Sequence, residues 1–195
     1  MKKIIAFALL LILAFSLVAC TPAGTTESLD SFNSAIANSA PVSVIVETKF
    51  EHTRLGVDIE GEYTATFADD GSATVEYWYY KLNEADLANG ELLELVPDQV
   101  AYIAADGTVT GALEGTVTAA VQCRMNLDPS KMEYSIDRGI LTATVKAANT
   151  KAVCGVDLGY DATLDMRLAG EAIGSYSIRY TTSDGSAVIV CKYTN

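Results

Sequence analysis

The feature that most constrains this fold is an alternation of apolar and polar residues that continues from Pro41 to the C-terminus. A period of two is the spacing of one face of a β-strand. Asp-Gly pairs at 70–71, 106–107 and 184–185, and Asp-Arg-Gly at 137–139, separate these segments and are typical of hairpin turns. Because hairpins join antiparallel neighbours, the sequence predicts a sheet of roughly eight to ten antiparallel strands with one buried face.

The segments that carry this pattern are residues 42–52, 57–67, 72–82, 113–125, 132–136, 141–145, 152–168, 176–180 and 188–191. A type I′ turn needs positive φ at both central positions, and Asp70-Gly71 and its repeats predict that turn. The run 137–139 predicts a three-residue loop with Gly139 in the left-handed conformation. Residues 83–96 fit neither period and are predicted to form a connection with room for a helical turn.

One amphipathic helix is predicted before the first strand. Leu29, Phe32 and Ile36 recur at helical spacing after Ser28, a good N-cap residue, and Pro41 ends the pattern. The predicted fold class is therefore mainly β (α+β), with an N-terminal amphipathic helix packed on a curved antiparallel sheet.

The first twenty residues have the organisation of an export signal. Lys2 and Lys3 precede an apolar run that is too short for a comfortable membrane span of roughly 20 residues. The run ends in Leu17-Val18-Ala19-Cys20, which resembles the lipobox of bacterial lipoproteins at all four positions. That resemblance implies lipidation of Cys20 and an extracytoplasmic protein held on the cell membrane by acyl chains. The alternative is an uncleaved N-terminal anchor helix.

This interpretation divides the chain into a signal peptide at 1–19, a lipidated cysteine and tether at 20–27, and a single domain at 28–195. Loss of residues 1–19 removes Lys2 and Lys3, so 11 basic residues face 25 acidic ones and the formal charge changes from −12 to −14. Such a surface repels nucleic acid and anionic membranes, so we predict no nucleic-acid partner and attachment through the lipid alone.

The sequence predicts neither a metal site nor a cofactor. Asp69-Asp70 lacks the oxygen spacing of a calcium loop. Cys123, Cys154 and Cys191 match no zinc pattern and allow at most one disulfide, whose formation the sequence leaves open; we predict buried thiols on the apolar faces of strands.

Catalysis is not predicted. His52 is the only histidine, and its position at a strand end predicts a surface residue rather than a general base. The chain contains no G-x-S-x-G, H-E-x-x-H or phosphate-binding glycine motif.

The aromatic run at 77–80 is the strongest candidate for a binding site. On a strand, Tyr77 and Tyr79 point to one face while Trp78 and Tyr80 point to the other, so both faces need a cover. Either the N-terminal helix and a loop cover them, or one face lines a cavity for an apolar or sugar ligand.

A lipobox, a short tether, one amphipathic helix and a long antiparallel meander together resemble envelope lipoproteins of the LolA and LppX type. The resemblance implies a half-barrel that holds acyl chains or lipoproteins between sheet and helices. We therefore expect a non-catalytic lipoprotein that binds a lipid or other amphiphile on the concave face, with Trp78, Tyr80, Phe32 and Ile36 as lining residues. The alternative is a structural or protein-interaction lipoprotein that docks an unknown partner, for example through the polar positions between Asp157 and Arg167.

Overall fold

The computed structural model describes residues 28–83 and 90–195, and these form ten β-strands and three α-helices. The strands are β1 Ser43–His52, β2 Val57–Phe67, β3 Ala73–Leu82, β4 Leu93–Ile103, β5 Val109–Thr110, β6 Met132–Asp137, β7 Ile140–Val145, β8 Ala162–Ala169, β9 Ala172–Thr181 and β10 Gly185–Thr194. The helices are α1 Leu29–Ala37, α2 Gly115–Val121 and α3 Thr150–Cys154, the last preceded by a 3₁₀ turn at Ala147–Asn149.

The ten strands form one open antiparallel sheet in the order β5-β4-β3-β2-β1-β10-β9-β8-β7-β6. Two meanders therefore meet at its centre, where β1 pairs with β10 from Ser43↔Thr194 to His52↔Gly185. The chain leaves the first meander at one edge of the sheet and starts the second at the other edge. The predicted fold class, a mainly β chain with a helix packed on an antiparallel sheet, is confirmed.

The hydrophobic core lies between one face of the sheet and the helices. Phe32 from α1, Val117 and Val121 from α2, and Val153 from α3 share one cluster with the inward side chains of the central strands, such as Val46. All five side chains are essentially inaccessible to solvent. We call this the inner face of the sheet and the opposite one the outer face.

Helix α1 is held by hydrogen bonds at its N-terminus and at Asn33. Ser28 and Ser31 form a capping box at its start, as the sequence predicted for the N-cap. The Asn33 side chain donates from Nδ2 to the carbonyl oxygen of Leu127 at 3.1 Å and accepts from its amide at 3.0 Å. This pair of hydrogen bonds, between residues far apart in sequence, fixes the helix to the segment that follows α2.

The predicted strand at 113–125 is wrong, because its central residues form helix α2. Every residue from Val117 to Val121 is buried. The segment therefore has no solvent-exposed face whose polar residues would distinguish the period of a helix from that of a strand. The strand pattern predicts that Thr118 faces solvent, but Thr118 is buried and its hydroxyl donates back to the carbonyl oxygen of Glu114 at 3.0 Å. That backbone-directed hydrogen bond satisfies a polar side chain inside the core.

The predicted strand at 152–168 is correct only in its second half. Its beginning forms α3, and β8 starts at Ala162. Gly155 ends α3 in the left-handed conformation with φ of 78°, a common helix termination. Alternating apolar residues from Ala152 to Tyr160 therefore belong to a helix and an irregular segment rather than to an edge of the sheet.

The hairpin positions are correct, but their turn types differ from the prediction. Arg138 and Gly139 both have positive φ, at 49° and 76°, and form a two-residue loop of the type I′ kind instead of a three-residue loop. Asp70 is absent from the positive-φ residues of the described chain. Gly185 also lacks positive φ; a Cβ there would lie 1.9 Å from the carbonyl oxygen of Glu51, so the glycine permits the close approach of β1.

Part of the predicted connection at 83–96 is a strand, since β4 begins at Leu93. Residues 84–89 of that connection lie outside the described residues. The predicted signal peptide, Cys20 and the whole predicted tether lie outside them as well. Among the residues that the structure describes, no helix is long and apolar enough to cross a membrane.

Candidate functional site

A cavity of about 200 Å³ opens on the inner face of the sheet, beside the first residues of α2. The apolar side chains of Phe50, Ile59 and Ile189 line it, and so do the phenol groups of Tyr63 and Tyr180. Strands β1, β2, β3, β9 and β10 all contribute to it, so it crosses the junction of the two meanders.

One wall of the cavity is a column of tyrosine rings. Tyr63 on β2 lies opposite Tyr77 on β3, and their rings stack at a centroid distance of 5.1 Å. Tyr79, two residues further along β3, stacks on Tyr77 at 6.2 Å with the same interplanar angle of 17°. The Tyr77 hydroxyl donates to the carbonyl oxygen of Ala112 at 2.7 Å, which fixes the column against the segment before α2.

A glycine lies next to two of the residues that line the cavity. Gly61 on β2 lies opposite Tyr79, and a Cβ at Gly61 would lie 3.0 Å from both the Thr48 Oγ1 atom and the Tyr79 Cβ atom. The missing side chain lets Thr48 and Tyr79, which both line the cavity, approach β2 closely. In a β-sheet, a glycine leaves part of the backbone uncovered, and a large aromatic ring next to it covers that backbone.

The opposite wall depends on a second small residue, Ala187 on β10. Its register partners are Phe50 on β1 and Tyr180 on β9, so a small side chain separates two rings. Tyr180 is held from behind by Tyr160, whose ring stacks on it at 6.2 Å. The space above Ala187 is therefore a gap between the rings of Phe50 and Tyr180.

Glu114 brings a negative charge to the mouth of the cavity. It is the N-cap residue of α2, and its side chain makes no capping hydrogen bond. Burial, and next the Glu114 carboxylate, raise the pKa of both the Tyr63 and the Tyr180 hydroxyl. Both phenols therefore stay neutral near pH 7 and can donate hydrogen bonds.

Lys49 is the one cationic residue in the cavity lining, but its ammonium is directed elsewhere. It pairs with Asp58 and Glu60 on the outer face. No lysine or arginine forms a salt bridge with Glu114 in the described chain. The cavity thus combines aromatic walls with an unneutralised carboxylate.

The four lining residues predicted from the sequence do not come together. Phe32 is fully buried in the core, and Ile36 packs against the same cluster from α1. Trp78 and Tyr80 lie on the outer face, with their rings edge to face at 6.0 Å, although Tyr80 also contributes to the lining of the cavity. Phe32 and Ile36 therefore lie on the opposite side of the sheet from the Trp78 and Tyr80 rings, because alternate side chains of β3 point to opposite faces.

Trp78 borders a broad depression of about 400 Å³ on the outer face. Glu62, Glu76 and Asp98 surround it, and Val100, which is 50% exposed, adds apolar surface. Among the described residues, only strands β2 to β4 line this depression, whereas the start of α2 also lines the cavity on the inner face.

His52 is buried rather than exposed, which corrects the prediction from its position at a strand end. Its ring packs edge to face on Phe50 at 5.8 Å, and its Nδ1 atom has no hydrogen-bond partner among the described residues. Within the same residues, no three His, Cys, Asp or Glu side chains are placed to hold a metal ion.

Sequence reasoning missed Tyr63, Tyr180, Ala187 and Glu114 as site residues. Tyr63 and Tyr180 each fall on the inward parity of a correctly predicted strand, so their orientation was readable. What the sequence does not contain is the pairing of β1 with β10, which brings Tyr63 and Tyr180 to the same cavity.

A scan against models of protein families found no match, and a search of curated protein sequences found no significant match either. Among solved structures, the chain is similar to the crystal structure of LprF from Mycobacterium bovis. The two share 10% sequence identity with a TM-score of 0.40, over 83% of this chain and 89% of that chain. The function is therefore argued from the cavity itself.

Proposed function

We propose that this chain is an exported lipoprotein, anchored through Cys20, that binds an amphiphile in the cavity on the inner face of its sheet. The observation that carries the proposal is an aromatic cavity at the centre of the sheet, in which the small side chain of Ala187 lies between Phe50 and Tyr180. Its lining of rings, aliphatic groups and phenol hydroxyls suits a ligand with an apolar body and a polar end.

The size of the cavity limits what enters it. About 200 Å³ is less than the roughly 300–1,000 Å³ of most small-molecule sites. A short alkyl segment with part of a headgroup fits this space, and the remainder of a longer lipid stays outside the mouth.

Ala187→Leu is expected to weaken binding strongly, because the larger side chain fills the gap between Phe50 and Tyr180. The full chain is incorporated into nanodiscs, and hexyl glucoside binding is followed by saturation-transfer NMR with empty nanodiscs subtracted. Burial of a six-carbon chain predicts an affinity on the order of a millimolar for the unaltered protein. We expect Ala187→Leu to weaken it by at least about tenfold.

Ser186→Leu is the matched control, since Ser186 precedes Ala187 on β10 and points to the outer face. It should leave the affinity unchanged, and melting temperatures of both variants show that each is folded. Equal binding by Ala187→Leu and the unaltered protein would place the ligand elsewhere. Absence of binding in the unaltered protein would favour the interaction lipoprotein with no small-molecule ligand.

The anchor is tested separately through Cys20→Ser. A bacterial host is grown with an alkyne-bearing fatty acid, and the mass of the mature protein is measured. We expect the unaltered chain to carry the label and to lack residues 1–19, whereas Cys20→Ser carries no label, because a hydroxyl does not replace the thiol that receives the lipid. Thr21→Ala should be labelled normally. A mature protein that retains residues 1–19 would contradict the proposal and support an uncleaved anchor helix.

A further inference from the structure

We infer that the cavity selects an amphiphile whose polar end is a cation, with Glu114 as the specificity-determining residue. The inference rests on the proposed function and concerns the headgroup, which that function leaves open. Its basis is the position of one unneutralised carboxylate beside several tyrosine rings at the mouth of an apolar cavity.

The walls of the cavity are electrostatically suited to positive charge. The face of an aromatic ring carries partial negative charge, so a cation within about 6 Å of its centroid is attracted. Tyr63, Tyr79 and Tyr180 present rings from both sides of the cavity. A quaternary ammonium group has an apolar surface that packs on such rings, and it donates no hydrogen bonds that the site would have to satisfy.

Glu114 supplies the counter-charge. Glu114 is solvent-exposed and lines the cavity together with Tyr63 and Tyr180. The ammonium of Lys49, the cationic residue of the lining, is held by Asp58 and Glu60 on the outer face. An anionic headgroup would therefore meet a like charge with no compensating cation, and its binding is disfavoured.

Three amphiphiles with the same six-carbon chain test the inference on the full chain in nanodiscs: hexyltrimethylammonium, hexyl glucoside and hexanoate. We expect hexyltrimethylammonium to bind about tenfold more tightly than hexyl glucoside, and hexanoate to bind most weakly. Glu114→Gln should reduce the preference for the cation to less than about twofold, while the affinity for hexyl glucoside is unchanged. Glu76→Gln, which removes an exposed carboxylate from the outer face, should keep the full preference.

The outcomes separate this inference from the proposed function. Equal affinities of the unaltered protein for all three amphiphiles would overturn the cation preference and leave amphiphile binding intact. Binding of none of them would overturn both. Persistence of the preference in Glu114→Gln would overturn the role of Glu114.

Tetramethylammonium, the headgroup without a chain, distinguishes an amphiphile from a free cation. Much weaker binding than that of hexyltrimethylammonium supports the amphiphile. Equally tight binding would support the cation preference and overturn the requirement for an apolar chain.

Discussion

Replacing Gly155 with alanine is expected to reduce the free energy of unfolding by at least about 3 kcal/mol, from two separate costs. Gly155 has φ of 78°, where a residue with a Cβ is strained. The added Cβ would also lie 2.1 Å from the carbonyl oxygen of Arg124, a backbone atom that cannot rotate away. Because Gly155 ends α3 and Arg124 follows α2, relief of the overlap would separate two helices that pack on one core.

Gly159 provides a control that isolates the overlap from the strain. Its φ of 70° is nearly the same as that of Gly155, but a Cβ there would meet no atom within 4 Å. We expect Gly159→Ala to cost only about 1 kcal/mol, the strain alone. Urea denaturation of both variants measures the two values. Similar losses for Gly155→Ala and Gly159→Ala would show that the approach to Arg124 is looser than described.

Gly155 also illustrates what the sequence could and could not predict. A period of two identified β1, β2, β3, β6 and β7 to within one residue at each end, because one face of each is wet and the polar positions are therefore informative. The same pattern failed in α2, where burial on all sides removes the polar positions that distinguish a helix from a strand. Gly155 falls inside the predicted strand at 152–168, whereas it is the left-handed end of a helix.

The sequence predicts which face of a strand each tyrosine of the candidate site points to, but it does not predict which strands lie side by side. Inward-pointing tyrosines follow from strand parity, and the aromatic run at 77–80 was correctly divided between two faces. The pairing of β1 with β10 joins residues separated by most of the chain, and no local pattern specifies it. Glu114 acquires its place only because α2 is a helix that begins at the cavity, so the error in that segment concealed the charge.

The second large effect concerns alkaline pH, where three buried thiols are expected to destabilise the fold as they titrate. Cys123, Cys154 and Cys191 are free and buried, which confirms their predicted burial, although only Cys191 lies on a strand. Burial raises the pKa of Cys123 and Cys154 from 9.0 to about 11, and that of Cys191 to about 12.

The direction of the pH dependence follows from which state loses its proton first. A thiol in the unfolded chain ionises near pH 9.0, whereas the folded protein keeps it protonated up to about 11. The stabilisation is therefore complete below pH 9 and is lost as the pH rises through 9 to 11. Each such thiol removes about 1.4 kcal/mol of unfolding free energy per pH unit in this range, and the three act together.

Tyr176 and Tyr193 are expected to extend the loss of unfolding free energy to higher pH, because they too are buried. Both hydroxyls donate to the carbonyl oxygen of Ala120, at 3.2 and 2.7 Å, beneath α2. Burial raises the pKa of each above 10, so their contribution is lost only above pH 10. The decline in stability is thus expected to begin near pH 9 and to steepen above pH 10.

Cys154 gives the sharpest test, because burial is the sole cause of its raised pKa. Urea denaturation under reducing conditions at pH 8, 9, 10 and 11 should show the slope of unfolding free energy against pH become less negative in Cys154→Val, by about 1.4 kcal/mol per pH unit between 9 and 11. Tyr102→Phe removes a phenol that is 57% exposed and should leave the slope unchanged. A slope that Cys154→Val does not alter would mean that this thiol ionises alike in both states, and that water reaches it in the folded protein.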